Sequence, residues 1–256
     1  MIMQLIILGS GTAIPLIDRA SPSLVLLAGN GPILFDMGPG SLRQFSRVGL
    51  NFSNLGHIFL THFHPDHTAD LVHFLFATRN PTVLEKRAPF HIAGPRGLKD
   101  FVRGIGKAYG KWMQMSSDLM IVEERNTKKR ETVKYGNLTI ISQPVKHTPQ
   151  SIAYRVEGPE GLDFVYSGDT GFCEEIIDLA RGVDLLILEA SFPDGHEAEG
   201  HLTPSLAGRV ATLAKVRRLA LLHFYPEVLA TDIADQCRKT YNGKLILCKD
   251  LLSLSI

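Results

Sequence analysis

The chain has 256 residues, with 27 basic and 26 acidic side chains and a formal net charge of +1. That near balance excludes a surface coated in nucleic-acid-binding charge, and a chain this long needs no disulfide or structural metal merely to fold. The three cysteines, Cys173, Cys237 and Cys248, form no CxxC pair, so they offer no thiolate metal site and fit a reducing, cytoplasmic setting.

The N-terminal run from Met1 to Leu8 is apolar, lacks a basic leader and breaks at Gly9, so it reads as a buried strand and not a signal peptide. No apolar stretch approaches the roughly 20 residues that span a bilayer. Residues 4–8, 23–27 and 32–36 read as strands, with Asn30-Gly31 as the hairpin turn between the last two. Residues 41–48 carry Leu42, Phe45 and Val48 at helical spacing. A strand over 57–61, a helix over 69–77 and a strand over 90–93 follow. Pro95 is expected to open a helix reaching Lys107, since proline suits a first helical turn. Residues 112–120 are Met-rich and irregular, either adaptable packing or a flap. Further on, 138–142, 152–156, 163–167, 184–189, 218–223 and 244–247 read as strands, and 173–181, 203–215 and 230–241 as helices. Strands that first pair as hairpins and then alternate with helices predict one domain over 1–256, an α/β fold of the αββα four-layer sandwich type.

The chemistry centres on His62-Phe63-His64-Pro65-Asp66-His67, directly after the predicted strand 57–61. Three imidazoles and a carboxylate this close would cost several kcal/mol if buried without partners, so they call for a ligand. Pro65 bars a central strand or a continuous helix, which predicts a loop at a strand's end. There His62 and His64 can face one metal while Asp66 and His67 turn toward a second. Imidazole and carboxylate without thiolate suit zinc, with manganese or iron as alternatives. Further candidates stand at other strand ends: His147 in Lys146-His147-Thr148, Asp169 in Ser167-Gly168-Asp169-Thr170, and His223 in Leu222-His223-Phe224.

The HxHxDH motif, then a lone histidine, SGDT and a final histidine, resembles the metallo-β-lactamase superfamily. More narrowly it resembles the ribonuclease Z-like branch. Leu8-Gly9-Ser10-Gly11-Thr12, Ile33-Leu34-Phe35-Asp36-Met37-Gly38, Gly94-Pro95-Arg96-Gly97, Glu189-Ala190-Ser191-Phe192 and His201-Leu202-Thr203-Pro204 support the likeness, which covers nearly the whole chain. It implies two divalent metal ions. His62, His64 and His147 would hold one, Asp66, His67 and His223 the other, with Asp169 bridging and an activated water as nucleophile. It also implies that His201 protonates the leaving group while Glu189 orients it, and that Asp66 can accept a proton from the water. The bland reading of His201 is a neighbour of the helix at 203 with no catalytic part. His57, His73, His91 and His196 read as structural or solvated.

The sequence departs from that branch in places. Too few positions separate His147 from Asp169 for the tRNA-binding arm, leaving room only for a hairpin. His67 is followed by Thr68 where the branch has glycine, and Met37 and Pro39 replace its cysteine and glutamate. The basic cluster Arg125-Asn126-Thr127-Lys128-Lys129-Arg130, flanked by Glu123, Glu124 and Glu131, reads as a solvated hairpin turn. The resemblance therefore points to a phosphodiesterase acting on a small phosphodiester or on RNA, in a homodimer such as the branch often forms. The alternative is hydrolysis of an ester, lactone, thioester or β-lactam on the same metals. A non-catalytic scaffold would be expected to have lost ligands, and here all seven are present.

Overall fold

The computed structural model describes residues 3–29 and 31–256. Met1 and Ile2 of the N-terminal run, and Asn30 of the expected Asn30-Gly31 turn, lie outside the described residues. The first half contains β1 (Gln4–Gly9), β2 (Ser23–Leu27), β3 (Pro32–Phe35), α1 (Ser41–Arg47), β4 (His57–Phe59), α2 (Pro65–Thr68), α3 (Asp70–Thr78), α4 (Pro81–Leu84), β5 (Phe90–Pro95), α5 (Leu98–Tyr109) and β6 (Met120–Arg125). The second contains β7 (Glu131–Tyr135), β8 (Leu138–Pro144), β9 (Ile152–Glu157), β10 (Asp163–Tyr166), α6 (Glu174–Leu179), β11 (Leu185–Glu189), α7 (Pro204–Ala214), β12 (Arg218–Leu222), α8 (Pro226–Leu229), α9 (Ile233–Arg238), β13 (Lys244–Leu247) and β14 (Ser253–Ser255).

The strands form two sheets, ordered β14-β1-β2-β3-β4-β5-β6 and β13-β12-β11-β10-β9-β8-β7. Each changes from antiparallel to parallel pairing partway across, at β3 in the first and β10 in the second. Side chains alternate across each strand, so one strand feeds two cores. Ile33 and Phe35 join the cluster shared by both sheets, with Phe59, Tyr154, Phe164 and Tyr166, while Leu34 faces α1, α3 and α5. Leu185 and Ile187 likewise face the shared core, and Leu186 and Leu188 face α6, α7 and α9. Because both faces of these strands are covered, they read in sequence as unbroken apolar runs. The architecture is the predicted four-layer sandwich. No described helix is long and apolar enough to cross a membrane.

Three local expectations are corrected. Pro95 does not open a helix; it ends β5, paired with Arg125, and α5 starts three residues later behind Gly97, whose φ is +103°. The Arg125–Arg130 segment is no hairpin turn, because β6 lies in one sheet and β7 in the other; it is the crossover between them. The stretch after β4 is only partly a loop. Pro65 takes the first position of the helical turn α2, where its missing N–H costs nothing. Residues 112–120 divide into the end of a 3-10 turn, Gly110–Met113, and a short link to β6, with Trp112 against Phe76.

Candidate metal centre

Parallel strands deliver their carboxyl ends to one edge of a sheet, and this chain places polar residues there. His62 and His64 follow β4, α2 carries Asp66 and His67, Asp169 follows β10, Glu189 ends β11 and His223 follows β12. His147 arrives from the antiparallel strand β8. The structure brings all of these predicted residues together, with His201 beside them. Between His147 and Asp169 the chain forms only the hairpin of β9 and β10.

The donor atoms fall into two groups, each lying within 4.8 Å: His62, His64, His147 and Asp169 in one, and Asp66, His67, Asp169 and His223 in the other. Asp169 belongs to both. Its Oδ2 lies 3.8 Å from His62 Nε2 and 3.7 Å from His147 Nε2, while Oδ1 lies 3.1 Å from His67 Nε2 and 3.2 Å from His223 Nε2. Asp66 Oδ2 closes the second group at 3.4 Å from His223 Nε2 and 3.8 Å from His67 Nε2. These separations suit atoms converging on a shared point and exceed good hydrogen bonds in several cases.

Burial sharpens this. His62 Nε2, His67 Nε2, His223 Nε2 and Asp169 Oδ1 are buried without a hydrogen-bond partner. Unpaired buried polar atoms normally cost about 1–3 kcal/mol each. Their convergence, on nitrogen and oxygen donors without sulfur, fits divalent cations of the zinc, manganese or iron kind. His64 is exposed, so the first group opens to solvent.

Each inward Nε2 is set by what holds the other ring nitrogen. His67 Nδ1 donates to Asp36 Oδ2 at 2.7 Å, His223 Nδ1 to Ser191 Oγ at 2.8 Å, His147 Nδ1 to the Gly200 carbonyl at 2.9 Å and His62 Nδ1 to Thr61 Oγ1 at 3.0 Å. Thr61 in turn donates to Asp36 through its backbone N–H and its hydroxyl, so one carboxylate steadies both groups. Gly168 makes room for this, since a Cβ there would lie 2.5 Å from Thr61 Oγ1 and its φ is +58°. Nothing in the sequence alone assigns a role to Asp36, Thr61 or Ser191. The available signal was an acid or hydroxyl immediately past an apolar strand, which is too common to single out one residue.

The electrostatics follow from burial and proximity. Burial lowers His62 well below the ordinary histidine range, and neighbouring His67 adds to the effect. Burial would lower His67 too, but Asp169 and Asp36 overcome it and hold that ring well above its usual value. Burial would raise Asp169, yet His223, His67 and His62 keep it well below the usual carboxylate range.

Beside these groups, Glu189 is wholly buried at the end of β11. Its carboxylate accepts from His201 Nδ1 at 2.9 Å, Thr170 N at 2.8 Å, Leu202 N at 3.2 Å and the Ser191 hydroxyl. Burial would lower His201, but the hydrogen bond and charge of Glu189 raise it to about 8. His201 is partly exposed, with its ring 4.8 Å from that of His147. His223 has φ +60°, a backbone cost that non-glycine residues accept where the surroundings fix them, as its N–H does on the Ser10 carbonyl at 3.0 Å.

A family profile described as a β-lactamase superfamily domain matches residues 32–224. The uncharacterized protein Rv1339 of Mycobacterium tuberculosis is 30% identical over 254 residues, covering 97% of this chain and 91% of that one. A protein of Mycobacterium marinum named ribonuclease Z is 28% identical over 272 residues, 97% of each chain. Among solved structures, the metallo-β-lactamase fold protein YhfI of Bacillus subtilis superposes with a TM-score of 0.87 over all of both chains at 20% identity. With its donors at the strand ends of that fold and the profile spanning most of its length, the chain belongs to the β-lactamase superfamily.

Proposed function

We propose that this protein is a metal-dependent phosphodiesterase of the ribonuclease Z-like type. His62, His64 and His147 would hold one divalent ion, Asp66, His67 and His223 the second, and Asp169 both. When bound, such ions lower the pKa of water and clamp the attacking and leaving oxygens. The observation that carries the choice of substrate class is the Glu189–His201 pair beside the donor groups.

Glu189 fixes the His201 ring by accepting from Nδ1, which leaves Nε2 to hold a proton toward a leaving oxygen. An alkoxide leaving a phosphodiester needs that proton. The oxygen expelled from an activated ester needs it far less. Thr170 N and Leu202 N fix the carboxylate in turn, so the pair is pre-set before substrate arrives. Asp66 is suited to orient or deprotonate the attacking water, since its carboxylate faces His223 and His67 within the second group. The likeness to a protein named ribonuclease Z supports phosphodiester chemistry. The hairpin between His147 and Asp169 supports a small phosphodiester or a short RNA end over a large folded RNA.

The test is cleavage of a dinucleoside monophosphate, whose leaving group is an alkoxide, by the zinc- or manganese-loaded protein, beside its His201→Ala variant and a p-nitrophenyl ester control. We expect metal-dependent diester cleavage that falls about 10²–10⁴-fold in the variant, with residual ester cleavage unchanged. Good ester turnover with no diester cleavage and no effect of His201 would assign the protein to carbon esters, lactones, thioesters or β-lactams.

A further inference from the structure

A second histidine pair stands at the other end of β4, away from the donors that follow that strand. His57 begins β4 and His91 lies on β5; the two are register partners on adjacent parallel strands. Their rings stack with centroids 5.0 Å apart and planes 13° from parallel. They line a cavity of about 370 Å³ between the sheets, with Ala28 and Ile33 on one side and Val133, Tyr135 and Leu138 on the other.

One of the two rings is held in the way metal-binding imidazoles are held. His91 Nδ1 lies 2.7 Å from Glu123 Oε1. Glu123 is two residues beyond Ile121, the register partner of His91, and so shares its face of the sheet. The other carboxylate oxygen accepts from the Tyr135 hydroxyl at 2.7 Å and from Arg125. With Nδ1 donating to an anchored carboxylate, His91 presents Nε2 as a lone pair. His57, by contrast, makes ring contacts with His91 and Tyr135 and no hydrogen bond through its ring among the described residues. Burial and the neighbouring His91 lower its pKa, which favours the neutral, ligating form.

We propose that His57 and His91 bind one divalent transition-metal ion, at a site separate from the two groups around Asp169, with Glu123 orienting His91. In the stack the two rings run side by side. Binding therefore requires His57, whose ring no hydrogen bond holds among the described residues, to turn out of it until one nitrogen of each ring reaches the ion, while Glu123 keeps His91 in place. Two neutral imidazoles suit zinc, copper or nickel and discriminate against magnesium and calcium, which prefer oxygen. Water fills the remaining positions from the cavity, so the ion is exchangeable and held less tightly than one in a closed four-ligand site. The other charged side chain lining the cavity is Lys134, exposed on β7; Arg125 lies behind Glu123, its charge taken up by Glu123 and Glu131.

The test is equilibrium dialysis of the full chain against zinc ion alone, comparing the protein with its His57→Gln/His91→Gln double variant. The unaltered protein should take up one equivalent more than the double variant. Glu123→Gln should keep that equivalent but weaken it about 10- to 100-fold. Proton NMR of the unaltered protein supplies a measurement that no variant's folding can confuse: the His57 and His91 ring signals should move as this last equivalent binds. Equal zinc uptake by protein and double variant, or ring signals that stay fixed throughout, overturns the site. Unchanged affinity in Glu123→Gln overturns the orienting role. None of these readouts depends on which substrate the Asp169 centre hydrolyses.

Discussion

Asp36 sits in the space behind the imidazoles, where the Thr61 backbone and hydroxyl, His67 Nδ1 and the Tyr166 hydroxyl all donate to its carboxylate. It holds φ +55°, a conformation that aspartate tolerates better than most residues. Asp36→Asn keeps the shape but replaces one acceptor by a donor. We expect metal affinity to fall about 10- to 100-fold, read by competition with a chromophoric chelator. Full affinity in that variant would show that His67 is oriented without the carboxylate. The seven expected donors were legible in sequence because histidines and acids past apolar strands have few structural uses in number. Asp36 and Ser191 were not, because one buried polar residue at a strand end has many. Their roles exist only through contacts such as Ser191 Oγ to His223 Nδ1, between residues far apart in the chain.

Short elements carry the site, and their positions depend on close backbone approach. At Gly38 an added Cβ would lie 1.9 Å from the Asp66 carbonyl and 2.8 Å from Ser21 Cβ, so α2 must move to admit it. Gly38→Ala is expected to cost about 1–3 kcal/mol in urea unfolding and to weaken metal binding. A variant with normal stability and metal content would mean that α2 shifts freely. On β6, burial would raise the Glu123 carboxyl, but hydrogen bonds from Tyr135, Arg125 and His91 hold it down at about 2. Its ordinary value is 4.5, so this contribution is complete above about pH 4.5 and is lost as pH falls toward 2. Unfolding curves across that window should therefore converge for the protein and its Glu123→Gln variant; a gap that stays constant would contradict the assignment. Strands such as β2 and β13 were readable as short leucine-rich or β-branched runs, but sheet membership was not. β6 and β7 look like two arms of a hairpin because proximity in sequence usually means pairing, and only the three-dimensional packing separates them. Pro95 misled for a similar reason: a proline fits a strand's last residue as well as a helix's first.

For the whole molecule, the buried unpartnered atoms at the centre of the two donor groups imply that fold stability and metal occupancy are linked. Free zinc at about 100 times its dissociation constant should add roughly 2.7 kcal/mol, or about 5–10 °C in Tm for a domain of this size. Calorimetry with and without chelator checks this, and identical curves would mean that no ion binds the folded protein in preference to the unfolded chain. The sheet order has another consequence, one of timing. β1 pairs early with β2, but its other edge waits for β14, and the Ser10 carbonyl just beyond it waits for His223. During synthesis the first strand must stand with one open edge until β14, more than two hundred residues later, has left the ribosome. The nascent protein is therefore open to mispairing with other chains along β1, and the donor group that includes His223 is among the later parts to be assembled.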